Sequence, residues 1–360
     1  MAIARPTPQL TPRLIAATAF TLGVGAVGGA LFLWLRVPLA WMLGAMCFVA
    51  PLALFGRPKR LPVFVDMRLR ELMVTVLGVM LGSAFTPEML RHWSEWLGLM
   101  ALMLVYVPIA TAVCYWVFRK GGNLDPVTSY FAATPGGLQE MTMVGEAMGG
   151  NARSIVLCHA IRIFVTVMTI PFYFRLVEGF YVPPMTPGPG VSAMALDDGL
   201  LLVGCGLVGW ALARRLKLPA SQLLGPMICS AFVHLMGWSA AKPPPEIVAI
   251  AQVVVGCSLG CRFAGTALRE VGRLAKLALI STLVMIALAV GLTTLAAGPL
   301  GFSRETLILV LAPGGLAEMS LVALALGVEV AIVSSMHVFR IMVVVVLAPQ
   351  AFRLFKLKAD

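Results

Sequence analysis

Pro135-Gly136-Gly137-Leu138-Gln139-Glu140-Met141 interrupts a long apolar stretch, and 178 positions later a second apolar stretch carries Pro313-Gly314-Gly315-Leu316-Ala317-Glu318-Met319. Six of the seven positions agree. Proline has no N–H and its ring clashes with the preceding turn, and glycine adds backbone freedom, so each stretch is expected to break a helix in two. The agreement continues outward in register. His159 and Arg162 recur as His337 and Arg340 at the same offset, as do Gly82 and Phe85 as Gly260 and Phe263. At an offset of 181, Pro38, Leu43-Gly44 and Ala50 meet Pro219, Leu224-Gly225 and Ala231. The chain therefore reads as two copies of one unit, residues 1–182 and 199–355, joined by a Pro/Gly-rich linker at 183–198.

The surroundings of the two breaks are those of a bilayer. Of 360 residues 60% are hydrophobic and 12% charged, with a mean hydropathy of +0.94, whereas about a quarter of the residues of a soluble domain are charged. Long apolar runs between short basic clusters indicate an all-α polytopic membrane protein; a barrel would alternate weakly over stretches of about 10 residues. The net charge of +11 does not point to nucleic acid, because Lys and Arg sit in the connections, where the positive-inside rule accounts for them. Seven cysteines fall in or beside apolar runs with no Cys-x-x-Cys pair, so they read as small packing residues. Arg5 and Arg13 before an apolar stretch resemble a signal peptide, but that stretch matches Ala195–Arg215 in mid-chain, so it is expected to stay as the first helix.

Apolar runs mark spans at 14–34, 37–55, 71–86, 94–118, the interrupted 126–150 and 152–174 in the first copy. In the second they lie at 199–213, 219–237, 247–264, 274–298, the interrupted 305–327 and 328–350. Charge bias reverses between the copies. Arg57, Lys59, Arg60, Arg68 and Arg70 face only Lys242; Arg91 between Glu88 and Glu95 faces Arg262, Arg269, Arg273 and Lys276; Arg36 faces Arg214, Arg215 and Lys217. Three mirrored connections in a row imply inverted-topology repeats, and inversion requires an odd number of crossings per copy. With the interrupted segment of each copy demoted to a broken or re-entrant pair of half-helices, about ten crossings remain and both termini fall in the cytoplasm.

Unwound backbone inside a bilayer is tolerated only where protein or a water-filled cavity surrounds it, so the breaks point to a solute or ion site. The expected site comprises Pro135, Gly136, Gly137, Gln139, Glu140 and Arg162 from the first copy and Pro313, Gly314, Gly315, Glu318 and Arg340 from the second. After each break a new half-helix offers free N–H groups to an anion, and the half-helix before it offers carbonyls to a cation or donor. Glu140 and Glu318 either satisfy their own helix starts or act as coupling groups, since a carboxylate at membrane depth costs about 2.5–3.5 kcal/mol or more. Arg162 and Arg340 either pair with those glutamates or clamp a carboxylate of the solute. His159 and His337, three residues before the arginines and on the same helix face, are packing residues or proton relays. Gln139 against Ala317 and Thr134 against Ala312 make the first copy the more polar. Scattered histidines and the lack of Glu-x-x-His spacing argue against a metal site, and no cofactor is expected.

Through Thr134-Pro135-Gly136-Gly137-Leu138-Gln139-Glu140-Met141, its second copy, and the His159/Arg162 and His337/Arg340 pairs, the chain resembles the AbrB-type family of duplicated bacterial inner-membrane proteins, over about 14–350. Many members carry an ammonia monooxygenase label, and some are linked to regulation of gene expression. The resemblance implies a multi-pass inner-membrane protein and gives little about its solute. The expected function is a secondary active transporter, not an enzyme, moving a small organic anion or amino acid with H⁺ or Na⁺. Its partners would be the lipid bilayer, the solute and the coupling ion, with no nucleic acid, and a homo-oligomer is open. The alternatives are a membrane sensor affecting gene expression and a membrane monooxygenase.

Overall fold

The computed structural model describes residues 11–55, 62–88, 93–177, 179, 190–265 and 268–354, and within them the chain is helical, without a strand. The first half forms α1 (Pro12–Trp34), α2 (Ala40–Phe55), α3 (Met67–Gly82), α4 (Trp93–Trp116, widened into a π turn at Val117–Gly121), α5 (Pro126–Ala133), α6 (Leu138–Ala147) and α7 (Ala152–Leu176). The second half forms α8 (Leu196–Arg215), α9 (Ser221–Leu235), α10 (Pro245–Cys261), α11 (Leu268–Leu300), α12 (Arg304–Leu311), α13 (Leu316–Leu326) and α14 (Val330–Leu354). Each expected span has its helix, and the largest departure is at α11, which begins at Leu268 and not at 274. Both expected interruptions are present, between α5 and α6 and between α12 and α13.

Six helices among the described residues are long and apolar enough to cross a membrane: α1, α4, α7, α8, α11 and α14. The chain is an α-helical polytopic membrane protein. The basic connection with Arg57, Lys59 and Arg60, the residues Arg91 and His92, linker positions 183–189, Arg5 and the C-terminal Lys356 and Lys358 lie outside the described residues.

Local chemistry sets the ends of the broken helices. Asp125 caps α5, accepting from the Thr128 N–H at 2.8 Å, with Pro126 as the first helical residue. Ser303 caps α12 from the Thr306 N–H at 3.2 Å, and Asn151 caps α7 from the Ser154 N–H at 2.9 Å. Such side chains satisfy N–H groups that have no partner inside the helix, and proline there loses nothing.

The chain forms two compact units, residues 1–73 with 252–266, and 74–251 with 267–360. In the first, α1 and α2 meet where Gly28 lies on Gly44, so closely that a Cβ on either would strike the other's backbone. Gly256 and Gly260 bring α10 equally close to Met42 and Val49 of α2. In the second unit the same joints recur: Gly209 on Gly225 between α8 and α9, and Gly78 and Gly82 of α3 on Leu223 and Met227 of α9. In lipid, where apolar burial gives helices little reason to associate, contact through small residues supplies the packing energy. Within this unit α7 packs on α11 and α13, and α14 on α4 and α6, so the helix after each break touches both halves of the sequence. These two are its interior helices: 67% of the apolar window of α7 and 56% of that of α14 are buried, against 28% for α8.

Candidate functional site

α5 ends at Thr134-Pro135, and its last carbonyls need partners that water cannot supply. α7 supplies them. His159 Nε2 donates to the Phe131 carbonyl at 2.8 Å and Arg162 Nη1 to that of Thr134 at 2.8 Å, while Arg162 Nη2 donates to His159 Nδ1 at 3.0 Å. The arrangement repeats with α14 and α12: His337 Nε2 to Leu309 O at 2.9 Å, Arg340 Nη1 to Ala312 O at 2.5 Å and Nη2 to His337 Nδ1 at 2.8 Å. Arg340 adds one bond, from Nη2 to Gly314 O at 2.6 Å. All four side chains are buried, the arginines at 3% and 1% exposure. A carbonyl can only accept and a guanidinium can only donate, so each ring donates at Nε2, accepts at Nδ1 and is neutral in this arrangement.

Of a cation or a donor at the carbonyls ending α5 and α12, the structure shows donors: His159 and Arg162 on Phe131 O and Thr134 O, and His337 and Arg340 on Leu309 O and Ala312 O. Neither arginine pairs with its glutamate among the described residues; each spends its Nη groups on carbonyls and imidazole. The positive charge instead faces the negative end of a half-helix, a favourable placement.

The other sides of the breaks differ from each other. Gly136 has φ +128° and Gly137 φ +60°, both in the left-handed range that favours glycine, whereas Gly315 is extended at φ −79° and Gly314 has no positive φ. Gln139 is exposed, with Gly136, Gly137, Leu138 and Glu140 half-buried; Gly314, Ala317 and Glu318 are buried and Gly315 half-buried. Glu140 and Glu318 hold the third helical position of α6 and α13, where a carboxylate can lean back over the helix start. Glu318 crowds Gly315, and Glu140 Oε2 comes to 3.5 Å from where a Cβ on Gly137 would stand. The earliest α6 N–H with a backbone acceptor belongs to Met141, bonded to Gly137 O at 2.7 Å, so those of Leu138, Gln139 and Glu140 face outward from the first turn.

The two copies meet at this point. Arg340 Nε, buried and without a hydrogen-bond partner, lies 3.4 Å from where a Cβ on Gly136 would stand, and Val345 of α14 lies beside Gly137. Tyr106 of α4, fully buried, donates to Met285 O at 3.4 Å and lies within electrostatic reach of both guanidiniums. Tyr130 of α5 donates to Ala348 O of α14 at 3.0 Å. The sequence pattern missed Tyr106. A hydroxyl in the middle of the apolar α4, two residues before Pro108, was the available signal.

These features define a polytopic helical membrane protein with two discontinuous helices, each tied at its break by a buried His-x-x-Arg pair. The chain belongs to the AbrB family, described as "Transition state regulatory protein AbrB", which matches residues 41–356. It is 28% identical to the uncharacterized protein YhjN of Bacillus subtilis (strain 168), in an alignment covering 92% of this chain and 91% of that one. It is 22% identical to a protein of Escherichia coli (strain K12) named as a candidate regulator, AbrB, over 89% of this chain and 91% of that protein.

Proposed function

We propose that this chain is a secondary active transporter of the bacterial inner membrane that moves a small organic anion or amino acid together with H⁺ or Na⁺. In this proposal two inverted repeats make ten crossings: the six long helices and α2, α3, α9 and α10. Those four have 16, 16, 15 and 17 residues, about 22–26 Å at 1.5 Å per residue. They would cross where the membrane is locally thin or the helix ends are sheltered by protein. Both termini lie in the cytoplasm, and the chain is not an enzyme.

The observation that carries the proposal is a charge balance at two helix breaks. Arg162, Arg340, Glu140 and Glu318 are gathered there, and their formal charges cancel. A monoanion entering such a site at membrane depth would leave it with an uncompensated negative charge, which is costly in low dielectric. A cation entering with it restores the balance, so coupling follows from the inventory of charges. Glu140, half-buried beside the exposed Gln139, is the better placed of the two carboxylates to receive that cation; Glu318 serves the start of α13. The broken helices then do what discontinuous helices do in transporters, presenting half-helix ends to a solute near the midplane.

Uptake tests the proposal. Purified chain in proteoliposomes, screened with carboxylates and amino acids, should accumulate at least one solute under an imposed H⁺ or Na⁺ gradient and lose accumulation when the gradient is collapsed. Accumulation that ignores both gradients removes the coupling. The inverted topology is tested separately, by cysteines placed in the connections holding Lys59 and Lys242. They should react with an impermeant thiol reagent from opposite sides, and reaction of both from one side contradicts inversion.

A second reading, a membrane sensor that influences gene expression, is favoured by the regulator name of the Escherichia coli relative. A sensor would bind solute at the same breaks and move none. Binding in detergent without uptake in proteoliposomes selects it.

A further inference from the structure

We infer that the two copies together build one carboxylate seat, not two: the first turn of α6 from the first copy and Arg340 Nε from the second. This inference rests on the transporter proposal for its context and on separate observations for its geometry.

The first turn of α6 presents the N–H groups of Leu138, Gln139 and Glu140, and α6 is 10 residues long, enough for its peptide dipoles to align. A helix start alone would be a common feature. Here it is joined by Arg340, 1% exposed, whose Nε has no partner and stands against Gly136 at the entry to α6. The other nitrogens of Arg340 are fixed on Ala312, Gly314 and His337, so the guanidinium is held rigid with Nε beside Gly136. A planar carboxylate suits this pair of donors. One oxygen takes the backbone N–H groups of the first turn and the other takes the Nε–H, both as charge-assisted bonds. Gly136, with no Cβ, puts no side chain of its own against the guanidinium; a Cβ there would stand 3.4 Å from Nε. Glu140, whose Oε2 leans toward Gly137, is the negative neighbour such a ligand meets, and Arg340 together with the helix start offsets it.

The counterpart at α13 is not built. Glu318 is buried against Gly315 and already brings a carboxylate to that helix start. A Cβ on Gly314 would meet the Met319 side chain at 2.6–2.8 Å, so the space that stays open beside Gly136 is filled here. One chain should therefore hold one carboxylate, and its affinity should depend on the second-copy arginine more than on the first.

The experiment uses the full chain in detergent, isothermal calorimetry, and acetate, pyruvate, succinate and glutamate as probes. The parent should bind at least one of them at one site per chain. Arg340→Lys keeps the charge and removes the fixed Nε, and should weaken that probe at least about tenfold; Arg162→Lys should weaken it less. Because Arg340 also holds α12, Gly136→Ala gives an independent variant. It removes no bond to α12, places a methyl group 3.4 Å from Nε on a backbone that it strains, and in chain shown by thermal melting to be folded should weaken binding by a similar factor. Two sites per chain, equal losses from the two lysine variants, or no binding of any probe up to about 10 mM would each overturn the inference. Uptake in proteoliposomes separates it from the transporter proposal. Binding with the expected variant pattern but without uptake upholds the seat and overturns transport, whereas uptake indifferent to Arg340→Lys upholds transport and overturns the seat.

Discussion

The breaks at Pro135-Gly136-Gly137 and Pro313-Gly314-Gly315 have one sequence and two conformations. In the first, both glycines take positive φ, the Gly136 carbonyl receives no bond from Arg162, and the following turn is half-open with Gln139 exposed. In the second, neither glycine has positive φ, Gly314 O is held by Arg340 at 2.6 Å, and Glu318 is sealed at 7% exposure. Local sequence therefore fixes that the helix stops, and the tertiary surroundings fix how. The two breaks share a motif, and a difference beside it, the exposed Gln139 for the buried Ala317, accompanies one that stays polar and one that becomes a packed joint. In the transporter proposal, an asymmetric site between similar breaks would give a solute one place to sit and two helices to move against.

If the first break faces solute, Glu140→Gln should have the largest effect. It keeps shape and hydrogen bonding and removes the titratable charge, so gradient-driven uptake in proteoliposomes should be abolished while solute binding in detergent survives. Glu318→Gln should reduce uptake only partly. Equal loss in both would erase the functional difference between the breaks.

Next come the arginines. Arg340→Ala leaves Ala312 O, Gly314 O and His337 Nδ1 unpaired and opens a buried hole, a cost of at least about 3 kcal/mol given about 1–3 kcal/mol for each buried group left without a partner. Arg162→Ala strands His159 Nδ1 alone, because Thr134 O keeps the Gly136 N–H at 3.1 Å, and should cost about 1–3 kcal/mol. Thermal melts of the detergent-purified variants should rank them in that order, and the reverse order contradicts the tighter second break.

A smaller contrast separates the glycines. Alanine at Gly136 must adopt φ +128°, at a cost of about 1–3 kcal/mol. At Gly314 an alanine meets no positive φ but stands 2.6–2.8 Å from the buried Met319 side chain, an overpacking cost of about 1–3 kcal/mol, so a Met319→Ala background should relieve Gly314→Ala and leave Gly136→Ala unrelieved. Equal relief at both positions would contradict the difference between the two backbones.

Smallest should be the histidines. With both ring nitrogens committed to Phe131 or Leu309 and to an arginine, they serve as ties, and His159→Gln or His337→Gln should cost about 1 kcal/mol in stability with gradient-driven uptake retained. Loss of uptake in a folded variant would return them to a proton path.

The helices, their interruptions and the matched residues were legible in the sequence, because apolar length and Pro-Gly-Gly are local signals. The His-x-x-Arg pairs were legible as a constellation, yet their partners were not. Spacing places His159 and Arg162 on one face of α7, but only the packing of α7 on α5 turns that face to Phe131 and Thr134, away from Glu140. Tyr106 and Tyr130 escaped for a similar reason: each bonds a carbonyl in the other half of the chain, at Met285 and Ala348, and no periodicity reports such a pairing. The divergence of the two breaks was hinted at by Gln139 and Thr134, while the left-handed turn at Gly136 and Gly137 had no signal in a motif shared by both copies.

The central claim, that the first break opens to water and the second is sealed, is tested most directly by thiol accessibility in native membranes. In a background with the seven native cysteines replaced, Gln139→Cys and Ala317→Cys occupy the same position of α6 and α13. A charged, water-soluble thiol reagent should modify the Gln139→Cys chain at least about tenfold faster, since a side chain sealed by packing or facing lipid reacts only when the structure opens. Equal rates, or an unreactive thiol at position 139, would contradict the account.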